Sequence, residues 1–537
     1  MSDLDTPAVD PAAASRQYVE AADTLGRFGR SASKLFMLKM ALDLHADPMI
    51  MRKIFATAME LEAYPDAIEA LHRIEPFLLS SESEKDQNWL QIARRKVLGR
   101  PLVPAVIEPR LRQRAPRTDS PVKGRICYVL HNALPFASGG YATRAQGLAK
   151  GLQAQGFEVI GITRPGFPVD TTDIRKEDVP ASSNTDGISY RHLVSPDRNE
   201  VKGEEYVIQS AEVLKGVFQE LRPALVLAAS NHLTSLPAQL AARALGIPFM
   251  YEVRGFWEVT RISREPKFKK SLSYARFSRL EALSAIYADH IFTLTTPMQE
   301  ELVARGVPEQ QISLLPNSCD PARFAPRERD LELAARLGIP PDVPVIGYIG
   351  SFVQYEGLDD LARACAMLAR RGLDFRLLLV GSEDVSSNTK GPVTAAIEEA
   401  AADEALAHRL IMPGRIPHDQ VAAHYSLIDI APFPRKPQPV TEMVSPIKPL
   451  EAYAMGKVVV ASSVQALAEM VQHNQTGMLF EKGNVEALAD VLQELILHPE
   501  LRRSLAAEGR KWVLQERTWE RTAAQAREVF AHFGVTP

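Results

Sequence analysis

The sequence predicts two Rossmann-like, doubly wound α/β domains facing a cleft, preceded by a small all-α helical region. Three observations carry this reading. From Arg125 onward, short apolar runs alternate with glycine turns and amphipathic helices, the pattern of parallel βαβ units. The same alternation starts afresh near Val343. Before Arg125, apolar residues instead recur at spacings of three and four, the helical period.

Composition bounds the function class. A chain of 537 residues is too long for one core. Apolar content of 46% and charged content of 24% are ordinary for a globular protein in water. A net charge of −4 argues against a nucleic-acid partner. Cys127, Cys319 and Cys365 are widely spaced and form neither a metal pattern nor a disulfide framework, which suits a reducing compartment. The opening MSDLDTPAVDPAAAS has no apolar core, so it does not read as a signal peptide, and no apolar run reaches the ~18 residues of a spanning helix. The expectation is a cytoplasmic protein whose membrane contact is peripheral, on the inner face.

The elements follow in order. Residues 1–15, rich in Ala, Pro, Asp and Ser, read as disordered. Residues 16–98 read as helical, with Tyr64-Pro65 breaking one run into a hairpin that resembles a tetratricopeptide pair. That region offers a surface for a protein partner, although a cap without binding function has the same pattern. Residues 99–124 hold many Pro and Arg residues and read as a linker, whose Arg110, Arg112, Arg114, Arg117 and Lys123 either touch anionic lipid or stay solvated, the second being favoured. Residues 125–325 form the first α/β domain: strand RICYVLHN, the Gly139-Gly140 turn and its helix, strand FEVIGITRP, then further strand–helix pairs through PALVLAAS, IPFMYEVRG and DHIFTLTT. Residues 326–515 form the second, from VPVIGYIGS to the helix VEALADVLQELILH. Residues 516–537 form a terminal helix that crosses back to the first domain. In such folds ligands bind in the crevice at the carboxyl ends of the strands.

The most informative segment is VSPIKPLEAYAMGKVVVASS, residues 444–463. Pro446 suits a helix start, whose free N–H groups and dipole favour an anion. Lys448 adds a full charge in that first turn, and Ser445 precedes it. Glu451, three residues on, shares the helix face and can accept hydrogen bonds from the two hydroxyls of a ribose. Lysine for phosphate and glutamate for ribose, one turn apart, describe a nucleotide site; an amphipathic helix with a solvated Lys–Glu pair has the same pattern. The Gly139-Gly140 turn can bring backbone N–H groups close to a phosphate or an acceptor, and tight-turn geometry explains it nearly as well. His232 follows a strand end and is a candidate to bond the reacting groups, in competition with His131. Arg254, at another strand end, is a candidate phosphate or acceptor partner, and Phe256 and Trp257 can stack on a sugar or pack a core. No Asp-x-Asp pair stands at a strand end, and Asp359-Asp360 begins a helix, so no metal and no cofactor are expected.

These residues together resemble the retaining GT-B glycosyltransferases of the glycogen synthase and sucrose synthase superfamily, the glycosyl transferases group 1. The resemblance runs from about Arg125 to Phe533. It is carried by SGGYATRAQGLAKGL, YEVRGFWE, ADHIFTLT, LLPNSCDPARF and VIGYIGSFVQYEGLDDL, besides residues 444–463. It implies a metal-independent, hexosyltransferase-like enzyme. Such an enzyme moves sugar from a nucleotide-sugar to a hydroxyl of a glycan or lipid-linked acceptor, with retention, in bacterial polysaccharide or glycolipid assembly. It implies catalytic roles for His232, Lys448 and Glu451. Donor contacts would come from Gly350, Ser351, Arg415, Arg435, Glu442, Ser445, Lys448 and Glu451, and Gly139, Gly140 and Arg254 would face acceptor or phosphate.

Two departures stand out. The family's paired glutamates reduce to Glu451, because Met443 holds the other position and Glu442 lies one residue off. The family's diphosphate-gripping basic residues are replaced by Ser351 and Glu356. Lys448, Arg415 and Arg435 are the candidates to make up the charge. The same departures keep open a catalytically weak GT-B scaffold docked through its N-terminal helices. Finally, Ile262–Arg279 interleaves Arg264, Lys267, Lys269, Lys270, Arg276 and Arg279 with Phe268, Tyr274 and Phe277, which suits an anionic membrane surface or a cleft lid with solvated charges.

Overall fold

The computed structural model describes residues 10–383, 390–402 and 404–537. They divide into two compact units: one runs to residue 102 and includes 198–206, the other comprises 103–197 and 207–537.

The first unit is helical, with Pro11–Arg27, Ser31–Leu44, Pro48–Glu60, Tyr64–Leu79 and Glu84–Leu98. The first helix packs on the second and the third on the fourth. Asp10 and Asp47 accept hydrogen bonds from the N–H groups of Ala12 and Met49, and Pro11 and Pro48 stand where a helix start needs no N–H. Leu38, Ala41, Ile54, Ala67 and Ile74 form the shared core. Of the segment expected to be disordered, residues 1–9 lie outside the described residues. Residues 11–15 are helical, because Asp10 caps them and buried Ser15 donates to the Ala41 carbonyl at 2.8 Å.

The second unit carries two α/β domains flanking a cleft. The first sheet contains β1 (Val122–Leu130), β2 (Glu158–Thr163), β3 (Ser182–Thr185), β4 (Ile188–Arg191), β5 (Pro223–Ala229), β6 (Phe249–Val253), β7 (His290–Thr293) and β8 (Ile312–Leu314). Their order is β3-β4-β2-β1-β5-β6-β7-β8, parallel except for the β3–β4 hairpin. The second sheet contains β9 (Val345–Ile349), β10 (Arg376–Val380), β11 (Leu410–Gly414), β12 (Ile430–Phe433), β13 (Val458–Ser462) and β14 (Gly477–Phe480), all parallel, in the order β11-β10-β9-β12-β13-β14. Strands β5, β6, β9 and β13 are buried throughout, which is why they read as continuous apolar runs.

The expected linker differs from its reading. Pro104–Arg112 is a helix with Ile107 and Leu111 fully buried. Arg114 pairs with Asp289 at 2.5 Å, and Arg117 reaches Asp119 and the Pro223 carbonyl, each at 2.8 Å. Cations assigned to solvent thus hold the segment on the first sheet.

The chain passes between the α/β domains twice, side by side. Cys319 N–H donates to the Arg517 carbonyl at 3.0 Å, and the Ser318 and Thr522 hydroxyls meet at 2.6 Å. Beyond this point the helix Trp519–His532 packs on Gly140–Ala154. Gly147 and Gly151 face Trp519 so closely that a methyl group at either would overlap it.

Candidate functional site

Lys448 opens the helix Lys448–Ala454, with Pro449 next to it; the helix therefore starts two residues later than Pro446 suggested. The lysine lies across Gly350, where β9 ends. A Cβ on Gly350 would overlap Lys448 Cε, so glycine is what lets the side chain cross. Nζ stands 3.8 Å from Glu356 Oε1 and 5.2 Å from the centre of the Tyr348 ring. Burial pulls the Lys448 pKa down and Glu356 opposes it.

Glu356 explains the missing lysine at its position. It is 2% exposed and takes Arg435 Nη2 at 2.7 Å and Nε at 3.3 Å. Burial alone would raise its pKa, but Arg435 and Lys448 prevail and hold it at about 2. Arg435 Nη1 donates to the Val444 carbonyl at 2.7 Å, fixing the loop that leads to Lys448. Gly357, at φ +74°, lies against the Pro434 carbonyl, where a side chain would collide. The positive charge thus comes from the loop after β12 and the Lys448 helix, with Glu356 as its counter-ion. Glu451 is different: burial raises its pKa to about 7, against Lys448, Arg323 and a hydrogen bond with Tyr425.

Across the cleft, Gly139 and Gly140 open the helix Gly140–Ala154 into free space, with nothing within 4 Å of a Cβ at either. Arg254, 4% exposed, donates from Nη1 to the Tyr141 carbonyl at 2.8 Å and from Nη2 to Glu252 at 2.7 Å and to the Tyr128 hydroxyl. Glu252 also takes Arg144 Nε at 2.7 Å. Burial of Glu252 is outweighed by Arg254 and Arg144, so its pKa falls to about 2. The halves are joined at the cleft floor by Asn317 Nδ2 donating to the Ser445 carbonyl at 2.8 Å and Thr295 Oγ1 to the Met443 carbonyl at 2.5 Å.

Gly140, Arg254, Gly350, Ser351, Arg435, Ser445, Lys448 and Glu451 line one cleft of about 480 Å³. A second cavity of about 380 Å³ adjoins it, with Ser138, Thr143, His418, Ile447 and Glu451 common to both. Four expected site residues do not line the cleft. Gly139 stands one residue outside it. Glu442 is drawn away by Lys482 at 2.7 Å and the Gln465 N–H at 2.9 Å. Arg415 is exposed just beyond β11. His232, 4% exposed, is captured by Glu281, whose Oε1 lies 2.8 Å from Nδ1 and accepts the His232 N–H at 2.7 Å. His131 is held by Thr234 at 3.0 Å and by the edge of Trp257. Sequence reading missed Arg144, Asn317, Tyr141, Tyr348 and Tyr355. An arginine among the small residues Ala142, Ala145 and Gly147 of this helix was the one local sign of Arg144. Among the described residues, no group of three or more His, Cys, Asp or Glu could hold a metal, and Asp359 and Asp360 are paired with Lys436 and Arg363.

Comparison with known proteins agrees with this fold. Residues 139–318 match the family model described as glycosyl transferase 4-like domain, and residues 330–512 match glycosyl transferases group 1. The GDP-mannose-dependent alpha-(1-6)-phosphatidylinositol monomannoside mannosyltransferase of Mycobacterium tuberculosis is 28% identical over 41% of this chain; the match spans about half, 55%, of that relative's length. Sucrose-phosphate synthase of Thermosynechococcus elongatus superposes with a TM-score of 0.61 at 21% identity, covering 77% of this chain and 99% of that one. HepE of Anabaena, solved in complex with UDP, gives 0.59 at 14% identity, covering 76% and 100%. At such identities the two structures speak for the fold.

Proposed function

Since the chain belongs to the GT-B glycosyltransferases related to the glycogen synthase and sucrose synthase superfamily, we propose that it moves a sugar from a nucleotide-sugar to a hydroxyl acceptor, with retention and without a metal. The observation that carries this is Lys448 laid across Gly350 with Glu451 one turn away, both in the cleft. Lys448 and Arg435 meet the donor diphosphate, and Glu451 takes the ribose hydroxyls. Arg254 faces them from the acceptor domain. As the glycosidic bond loosens, negative charge gathers on the departing diphosphate, and fixed cations stabilise it without reorganising. The acceptor hydroxyl enters on the same face and its proton passes to the departing phosphate oxygen. We give His232, which is paired with Glu281 and does not line the cleft, no catalytic role in this reading.

The scaffold reading rested on Ser351 and Glu356. Glu356 now has a task, holding Arg435 and Lys448, so that departure no longer argues against binding. The mannosyltransferase relative is named for a phosphatidylinositol monomannoside acceptor, which favours a lipid-linked acceptor here too. Lys267, Lys269 and Lys270 are exposed on the short turn Pro266–Lys270, next to Leu272 (65% exposed) and near Trp257 (38%). Phe268 contributes nothing to that surface, since it is buried under Arg261. No helix among the described residues is long and apolar enough to cross a membrane. We place the protein on the cytoplasmic face of the membrane, held peripherally.

The test is a screen of UDP-, GDP- and ADP-sugars for thermal stabilisation and release of free nucleoside diphosphate. Turnover is expected with one of them and persists in EDTA. Lys448→Ala lowers both affinity and rate, by about 1.5–3 kcal/mol for a lost charged hydrogen bond. Loss of turnover in EDTA with rescue by manganese overturns the metal-free reading; an unaffected Lys448→Ala overturns the site.

A further inference from the structure

Resting on that reading of the cleft, we infer that Arg144 is a positioning residue that locks the donor loop to the acceptor strand. The side chain is 2% exposed, in a helix whose neighbouring turns carry glycine and alanine, and it reaches the cleft wall. Its guanidinium addresses three separate segments. Nε donates to Glu252 Oε1 on β6 at 2.7 Å. Nη2 donates to the Leu315 carbonyl at 2.7 Å, and Nη1 donates to the Pro316 carbonyl at 2.9 Å and to Asn317 Oδ1 at 3.1 Å, all on the first interdomain crossing. Its Cζ lies 5.8 Å from the ring centre of Trp519, which opens the helix after the second crossing.

The contact to Asn317 has a directional consequence. With its amide oxygen turned to Arg144, Asn317 presents Nδ2 to the Ser445 carbonyl, on a further segment three residues before Lys448. Glu252 passes the link to the other wall, since its second oxygen takes Arg254. A continuous chain, Arg254–Glu252–Arg144–Asn317–Ser445, therefore crosses the floor of the cleft. Only a planar, multiply donating fork satisfies it; a lysine keeps the charge opposite Glu252 but has no fork to set the amide. Without Arg144, the Ser445 carbonyl alone holds the amide orientation, and the loop before Lys448 loses part of its register.

The experiment uses the full chain, titrated calorimetrically with UDP, GDP and ADP to find the one that binds. Arg144→Lys and Asn317→Ala are each expected to weaken that nucleoside diphosphate about five- to twentyfold, the scale of one fixed buried hydrogen bond. The double variant should bind no more weakly than Asn317→Ala alone, because both act through one bridge. Wild-type affinity in Arg144→Lys, or full multiplication of the two losses, overturns the inference. Should Arg144→Lys fail to fold, Asn317→Asp decides: it keeps an oxygen for Arg144 but sets a second against the Ser445 carbonyl, and should weaken binding as Asn317→Ala does. Wild-type affinity in both Asn317 variants also overturns it. If no nucleoside diphosphate binds the wild-type chain, the reading of the cleft falls, and this inference with it.

Discussion

At Glu451 burial and neighbouring charge oppose each other, and the balance falls near neutrality, with a pKa of about 7. An unfolded glutamate titrates near ~4.3, so the folded protein holds the extra proton between those values. Its contribution to stability is full below the lower value and is lost as pH rises through about 7. Donor binding runs the other way, because only the carboxylate accepts from both ribose hydroxyls. Affinity for the nucleoside diphosphate should therefore climb from pH 6 to pH 8, and Glu451→Gln should be weaker and flat; a flat wild-type profile rules out the ribose role. That Lys448 and Glu451 share the cleft was legible because their spacing is local, one helical turn. Glu442 and His232 were not, because what captures them is remote: Lys482 is 40 residues from Glu442, and Glu281 is 49 from His232. Arg144 was hidden for the same reason, its partners Glu252 and Asn317 lying more than 100 residues away.

Among the elements, the helix Gly140–Ala154 shows how a local cost meets a tertiary gain. A mid-helix glycine costs about 1 kcal/mol relative to alanine. At Gly147 the missing side chain admits the Trp519 ring. Gly147→Ala should therefore destabilise by about 1–3 kcal/mol, as overpacking does, despite its better helix propensity; urea unfolding measures it, and a more stable variant shows that Trp519 yields freely. The order of strands and helices was legible from period and glycine turns, and both sheets formed where apolar runs alternated with helices. The helix Pro104–Arg112 was not, since nine residues with two prolines carry too short a period, and what fixes it is Ile107 and Leu111 burying against the first α/β domain.

For the molecule as a whole, the exposed cations Lys267, Lys269 and Lys270 set the expected behaviour at a bilayer. Each cation near an anionic surface contributes about 1 kcal/mol. The protein should co-sediment with phosphatidylglycerol vesicles at low ionic strength, release as salt rises, and lose the association when all three become Glu. A wild-type protein that stays in the supernatant makes this segment a lid over a water-borne acceptor. The place of Trp519 carries a last consequence. It is 5% exposed, seated between the glycines of one helix and the guanidinium of Arg144, and it forms part of the wall of the second cavity beside Glu451. An indole shielded this way emits toward the blue, and a molecule filling that cavity changes its surroundings before it changes anything else. The protein thus carries its own optical gauge of occupancy, readable without a label; replacing Trp89, Trp257 and Trp512 with Phe would leave that signal alone.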